Sequence, residues 1–161
     1  MSTSPLLARP PVVRGSTSAI CVMAATDAAV PALRAFTRRT VHAWRPGEPA
    51  AEALALIVTE LVTNACQHSG SPHVTVHLFA GEQILGVEVS DNGAWKNQAG
   101  DAGPVEEAVS GRGLQLVEAY AATVRIRRSS GGTSVIAIVG TETDGTRTDE
   151  IPERQPHVRL V

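Results

Sequence analysis

From Ala50 to Gln67 the chain runs without a Gly or Pro, and Leu54, Ile57, Leu61 and Cys66 return close to a 3.6-residue period. That pattern predicts an amphipathic helix. Beside the apolar stripe, Glu60, Asn64 and His68 are spaced i, i+4, i+8, which puts them in one polar row on the same helix. Upstream, the short apolar run Ala19 to Ala25 predicts an edge strand. Thr26 or Asp27 is placed to cap a helix from about Ala28 to Trp44, with Pro31 tolerated in its first turn. Val30, Leu33, Phe36, Thr37, Val41 and Trp44 trace its buried stripe. Arg34, Arg38 and Arg39 lie on or near the other side, as a solvated face or a partner-binding one. Arg45-Pro46-Gly47-Glu48-Pro49 separates the two helices, and Ser69-Gly70-Ser71-Pro72 stops the second.

Downstream the period changes to two. Val74 to Phe79 and Ile84 to Ser90 alternate about the turn Ala80-Gly81-Glu82-Gln83, predicting a β-hairpin. Asp91-Asn92-Gly93 ends the second strand. Ala94 to Ser110 has little periodicity, and a loop of that length inside a domain is usually functional or disordered. Ser110-Gly111-Arg112-Gly113 opens a helix from about Leu114 to Ala121. Strands follow at Thr123 to Arg128 and Thr133 to Val139, joined by Ser129-Ser130-Gly131-Gly132. The order β-α-α-β-β-loop-α-β-β predicts an α+β two-layer sandwich, with helices on one face of a largely antiparallel sheet. One domain is expected over 18–140, with a flexible tail over 1–17 and a polar tail, mostly unstructured or loosely docked, over 141–161.

Composition narrows the functional classes. The chain has 161 residues and a formal net charge of -2, so no basic field points to nucleic acid or an anionic membrane. Aromatics are only 3%, so the core must be built from Ala, Val, Leu and Ile. Lys96 is the sole lysine, and no Gly-Lys-[Ser/Thr] triplet exists, which excludes a P-loop. Cys21 and Cys66 are isolated and read as buried thiols of a reducing compartment. No apolar run reaches the length of a membrane span and no signal peptide is evident, so a cytoplasmic location is expected. His73 and His77, four apart on a strand, are separated by about 13 Å, which argues against a shared zinc ion.

Four features carry candidate chemistry. Glu60 and Asn64, a carboxylate followed one turn later by a carboxamide, suit a hydrated Mg²⁺ and the positioning of a nucleophile, or they form an ordinary solvated helix face. Asp91 at a strand end can accept a hydrogen bond from an exocyclic amine, and Gly93 lets a flat ring approach the backbone; the same triplet also serves as a turn. Gly111 and Gly113 before a helix can expose N–H groups to phosphate, or cap the helix. Gly131-Gly132-Thr133 brings a hydroxyl into the last strand through what is otherwise a plain hairpin turn.

In this order and spacing the four features resemble the GHKL (Bergerat-fold) ATP-binding domain, and within it the stand-alone histidine-kinase-like ATPase domains of anti-sigma regulators. The resemblance spans about Ala24 to Val139. It rests on Pro31-Ala32-Leu33-Arg34-Ala35-Phe36, Val58-Thr59-Glu60-Leu61-Val62-Thr63-Asn64-Ala65, Ser110-Gly111-Arg112-Gly113-Leu114 and Gly131-Gly132-Thr133. It implies ATP and Mg²⁺ as cofactors, Glu60 as general base and Asn64 as the metal ligand. It also implies His68 near the phosphates, Asp91 and Gly93 at adenine, and Thr133 completing the adenine pocket. Gly111, Arg112, Gly113 and Leu114 would close over the phosphates, with 94–110 as the lid. Trp95 and Lys96 depart from the family's pattern there.

What the resemblance implies is an anti-sigma factor with serine/threonine kinase activity toward an anti-anti-sigma partner. The alternative is a non-catalytic, ATP-dependent partner-switching module. The expected partners are a sigma factor and its antagonist, with a homodimer possible through the first helix and edge strand. His42-Ala43-Trp44-Arg45-Pro46 lacks the acidic residue of a histidine kinase's phosphoacceptor box, which disfavours a sensor-kinase fragment.

Overall fold

The computed structural model describes residues 16–93, 112–140 and 158–160. The elements are β1 (Thr17–Ala24), α1 (Ala29–Trp44), α2 (Glu48–His68), β2 (His73–Ala80), β3 (Ile84–Asp91), α3 (Arg112–Tyr120), β4 (Thr123–Ser129), β5 (Gly132–Gly140) and β6 (Val158–Leu160). They form one sheet in the order β1-β2-β3-β5-β4-β6, antiparallel throughout except for β6 against β4. The expected α+β sandwich is the observed one. Because β5 lies antiparallel between β3 and β4, those two strands run parallel, and parallel strands need a long crossover. That crossover contains α3.

Period-two alternation sets the two faces. Val74, Val76 and Leu78 of β2, Leu85, Val87 and Val89 of β3, Val124 and Ile126 of β4, and Val135, Ala137 and Val139 of β5 are all buried beneath the helices. Register places Leu85 opposite Val139, Val87 opposite Ala137 and Val89 opposite Val135. The next pair in that row is Asp91 with Thr133, so an apolar column ends in a polar, buried pair.

α2 is the central helix. It is long and apolar enough to cross a membrane by length and composition, yet 56% of its most apolar window is buried inside the molecule. It packs on β3 and β5 below, α1 on one flank and α3 on the other. Three-sided packing explains why Ala51, Ala55, Val58, Val62 and Ala65 are buried along with the predicted Leu54, Ile57 and Leu61, while Cys66 is only half-buried. Small side chains let the neighbouring elements approach closely, consistent with the scarcity of aromatics.

The helix ends depart from expectation. Neither Thr26 nor Asp27 caps α1 through its side chain; the Ala29 and Val30 N–H groups donate instead to the Thr26 and Asp27 carbonyls. The turn's own backbone thus satisfies donors that a cap would otherwise take. α1 ends at Arg45 in a left-handed conformation (φ 55°), and Pro49 lies in the first turn of α2. α3 begins at Arg112, earlier than Leu114, and ends at Tyr120. In the polar tail, Val158–Leu160 pairs with β4 as a sixth strand, a segment too short to show periodicity in sequence.

Candidate functional site

Asp91 sits at the last position of β3 and is only 7% exposed; Thr133, opposite it on β5, is 6% exposed. Asp91 Oδ1 accepts the Gly93 N–H at 3.0 Å. A carboxylate has about four acceptor positions, so this turn contact leaves capacity for another donor. Together with Leu61, Asn64, Ala65, Val89, Leu114 and Val135, the pair lines a narrow cleft between α2, α3 and the sheet.

Two glycines hold the Asp91 corner together by close approach. A β-carbon on Gly132 would lie 1.9 Å from the Asp91 carbonyl oxygen, and φ at Gly132 is 132°, a conformation that side chains resist. A β-carbon on Gly93 would lie 1.9 Å from the Ser69 carbonyl oxygen. Gly93 thus brings the end of β3 against the α2–β2 turn, where two serines complete the tie. Ser69 Oγ donates to the Ala65 carbonyl at 2.7 Å, and Ser71 Oγ accepts the Asn92 N–H at 3.2 Å while donating to the His73 carbonyl.

At the mouth of the cleft, Glu60 and Asn64 are half-buried on α2 with the first turn of α3 above them. A β-carbon on Gly113 would come 2.7 Å from Glu60 Oε2 and 3.6 Å from Asn64 Nδ2. Glycine there lets the positive end of the α3 dipole settle on the Glu60 carboxylate. Among the described residues no three His, Cys, Asp or Glu side chains cluster as a metal site. Mg²⁺ needs no such cage, because it is usually held by one or two protein oxygens, waters and the substrate's phosphates. Glu60 and Asn64 fit that requirement.

The fold therefore lines one cleft with Asn64, Asp91, Leu114 and Thr133, with Glu60 and Gly113 in contact beside Asn64 and Gly93 hydrogen-bonded to Asp91. His68 is exposed in the last turn of α2 and is not part of the lining. Gly111, the Arg112 side chain, and residues 94–110 with Trp95 and Lys96 lie outside the described residues. Sequence reading missed Ser69, Ser71 and the apolar walls Leu61, Ala65, Val89 and Val135. Strand register brings Val89 and Val135 together, and the packing of α2 on the sheet adds Leu61 and Ala65. The two serines lie in a segment whose sequence signals only the end of a helix.

Behind the site, Cys66 Sγ donates to the Thr26 carbonyl at 3.6 Å. Burial, and secondarily the Asp27 charge, push its thiol pKa up. On β4, burial lowers the Arg128 pKa from its ordinary value.

A helix-covered sheet with a carboxylate-floored cleft defines the architecture of a ligand-binding α+β sandwich. The family model for the histidine kinase-like ATPase domain matches residues 23–139. The chain belongs to that family, and its fold is the GHKL ATPase fold. Among solved structures, it is similar to the histidine kinase domain of the blue-light activated histidine kinase of Erythrobacter litoralis EL346. Identity is 26% and the TM-score 0.37, over 58% of this chain and 45% of that one. This chain thus spans less than half the length of that structure. No curated protein sequence matches it.

Proposed function

We propose that the protein binds Mg-ATP in this cleft and, as an anti-sigma regulator, transfers phosphate to a serine or threonine of an anti-anti-sigma partner. The observation that carries nucleotide binding is the buried Asp91–Thr133 pair at the end of an apolar column, with Glu60 and Asn64 at the open end. Val89, Val135, Leu61 and Ala65 offer an apolar slot for a purine. Asp91 accepts from its exocyclic amine, and Thr133 supplies a hydroxyl beside it. Bound ATP would supply the phosphoryl group. Asn64 would hold the metal through its side-chain oxygen; as the γ-phosphoryl passes from ATP to the acceptor hydroxyl and ADP leaves, Glu60 would accept the hydroxyl's proton. Phosphoryl transfer asks a protein mainly for positioning and charge stabilisation, which this residue set can provide. The sigma factor and antagonist as partners, and a cytoplasmic setting, belong to the same proposal and are supported by the motif resemblance alone.

One observation favours a second reading, in which nucleotide sets partner choice without transfer. The Glu60 carboxylate packs against the α3 backbone at Gly113, a structural use that needs no catalysis. Terminally labelled ATP and candidate antagonist proteins separate the two. The kinase reading expects labelled antagonist, lost in Glu60→Gln while calorimetry still detects Mg-ATP binding. Binding with no transfer to any candidate selects the switch. Absence of Mg-ATP binding overturns both.

A further inference from the structure

The end of β3 is held by more than the strand ladder. Residues of an antiparallel strand alternate between bonding to one neighbour and bonding to the other. The Ala25 N–H donates to the Pro72 carbonyl, so the even-numbered residues of β2 bond to β1 and the odd-numbered ones to β3. His73 is therefore the next residue due to bond across to β3, and the register sets Asn92 opposite it. The β2–β3 pairing stops one step short, at Val74–Asp91, and the Ser71 hydroxyl stands where the missing bond belongs. Its Oγ accepts the Asn92 N–H at 3.2 Å and donates to the His73 carbonyl at 2.7 Å, bridging the two groups that a ladder bond joins directly. It also accepts the His73 N–H at 3.3 Å. A serine hydroxyl has one donor and two acceptor positions, so the backbone saturates Ser71.

The same turn is anchored on its other side. The Ser71 N–H donates to Ser69 Oγ at 3.1 Å, and Ser69 Oγ donates to the Ala65 carbonyl at 2.7 Å. Ser69 and Ser71 are 1% and 8% exposed, so these bonds are shielded from water, and losing one partner leaves a buried group unsatisfied. The chain of bonds runs from Ala65, in the α2 wall of the cleft, to Asn92, between Asp91 and Gly93. Gly93 is the residue whose N–H holds Asp91 Oδ1 at 3.0 Å. It packs so tightly on the turn that a β-carbon would lie 1.9 Å from the Ser69 carbonyl oxygen and 2.7 Å from the Ser71 nitrogen. The direction of the Gly93 N–H, and with it the place where the carboxylate is held, follows from the turn.

We propose that Ser71 is a positioning residue for the Asp91 carboxylate, and that its hydroxyl bridge sets the preference of the cleft for a purine bearing an exocyclic amine over one bearing an oxygen there. The inference rests on the nucleotide reading above. Asp91 accepts from the amine, whereas an oxygen at the same place brings no proton and meets the carboxylate as a second acceptor. Such discrimination requires that the acceptor be held where the amine arrives. Without the bridge, Asn92 and Gly93 settle differently and Asp91 Oδ1 moves with them. The apolar contacts of Leu61, Val89 and Val135 serve both purines and do not pass through Ser71.

Calorimetry on the full chain with Mg-ATP and with Mg-ITP, whose base carries oxygen in place of the amine, tests it. The wild type should bind Mg-ATP more tightly by about tenfold or more, the factor carried by one hydrogen bond to a charged group. In Ser71→Ala the ratio should collapse toward one through loss of Mg-ATP affinity, with Mg-ITP binding nearly unchanged. Ser71→Thr, which keeps the hydroxyl, should restore it. A purely structural role weakens both nucleotides alike. A ratio that survives Ser71→Ala, or that Ser71→Thr loses equally, overturns the inference and leaves the nucleotide reading standing. So does a wild type that binds both nucleotides equally. A wild type that binds neither removes the nucleotide reading and this inference with it. If Ser71→Ala does not fold, Ser69→Ala, which takes away the acceptor of the Ser71 N–H, should lower the ratio in its place, and an unchanged ratio there overturns the proposal.

Discussion

Asp91 combines deep burial with a carboxylate, a pairing that usually requires compensation by hydrogen bonds. The Gly93 N–H supplies part of it. In Asp91→Asn the side-chain oxygen still accepts that N–H, so the turn should persist while the charge is lost. Hydrogen bonds involving a charged group contribute about 1.5–3 kcal/mol. Calorimetry should therefore find Mg-ATP binding weakened by about one to two orders of magnitude. Unchanged affinity would remove Asp91 from adenine recognition. Gly132→Ala tests the corner itself. With φ at 132° and a carbonyl oxygen where the β-carbon must go, strain of about 2 kcal/mol or more is expected, read as a lower urea midpoint. At Cys66 the raised pKa means the folded state holds the thiol proton more tightly than the unfolded chain does. Its contribution to stability is complete below the ordinary thiol pKa and is lost as pH rises through the raised one. Alkaline denaturation should therefore begin at higher pH in Cys66→Ala than in the wild type, provided both are compared at equal neutral-pH stability.

At the scale of elements, α2 shows how far pattern reading reaches. Its apolar stripe and polar row were both evident, because a 3.6-residue period survives in any sequence that must bury one face. The second and third buried faces were not, since Ala51, Ala55 and Ala65 are equally at home on a solvated helix. Leu54 and Leu56 make the point measurable. Leu54 is fully buried and Leu56 only half-buried two residues on. Leu54→Ala should cost about 2–5 kcal/mol in denaturant unfolding, and Leu56→Ala distinctly less. Equal losses would mean that α2 does not pack as described. The hairpin β2–β3 was legible from alternation alone, whereas β6 was not, because a three-residue strand has no period to detect.

At the scale of the whole molecule, the cleft forms only where α2, α3, β3 and β5 meet, so ligand binding should stabilise all of them together. A ligand at 100 times its Kd adds about 2.7 kcal/mol to the folded state. For a domain of this size, differential scanning fluorimetry should show the unfolding midpoint rising by roughly 5 °C or more with saturating Mg-ATP. The Asp91→Asn variant should show a smaller rise at the same concentration.

Local chemistry, written along one dimension, determined the element types, the two-layer class and the short motifs holding Glu60, Asn64, Asp91 and Thr133. Periodicity and turn residues act over a few neighbours and need no fold to be read. Only the tertiary structure decided that Asp91 and Thr133 are register partners and that Gly93, Gly113 and Gly132 are dictated by neighbouring backbone and carboxylate atoms. Those facts depend on which strands lie side by side. Strand order is set by packing between residues far apart in the chain, which no local pattern encodes.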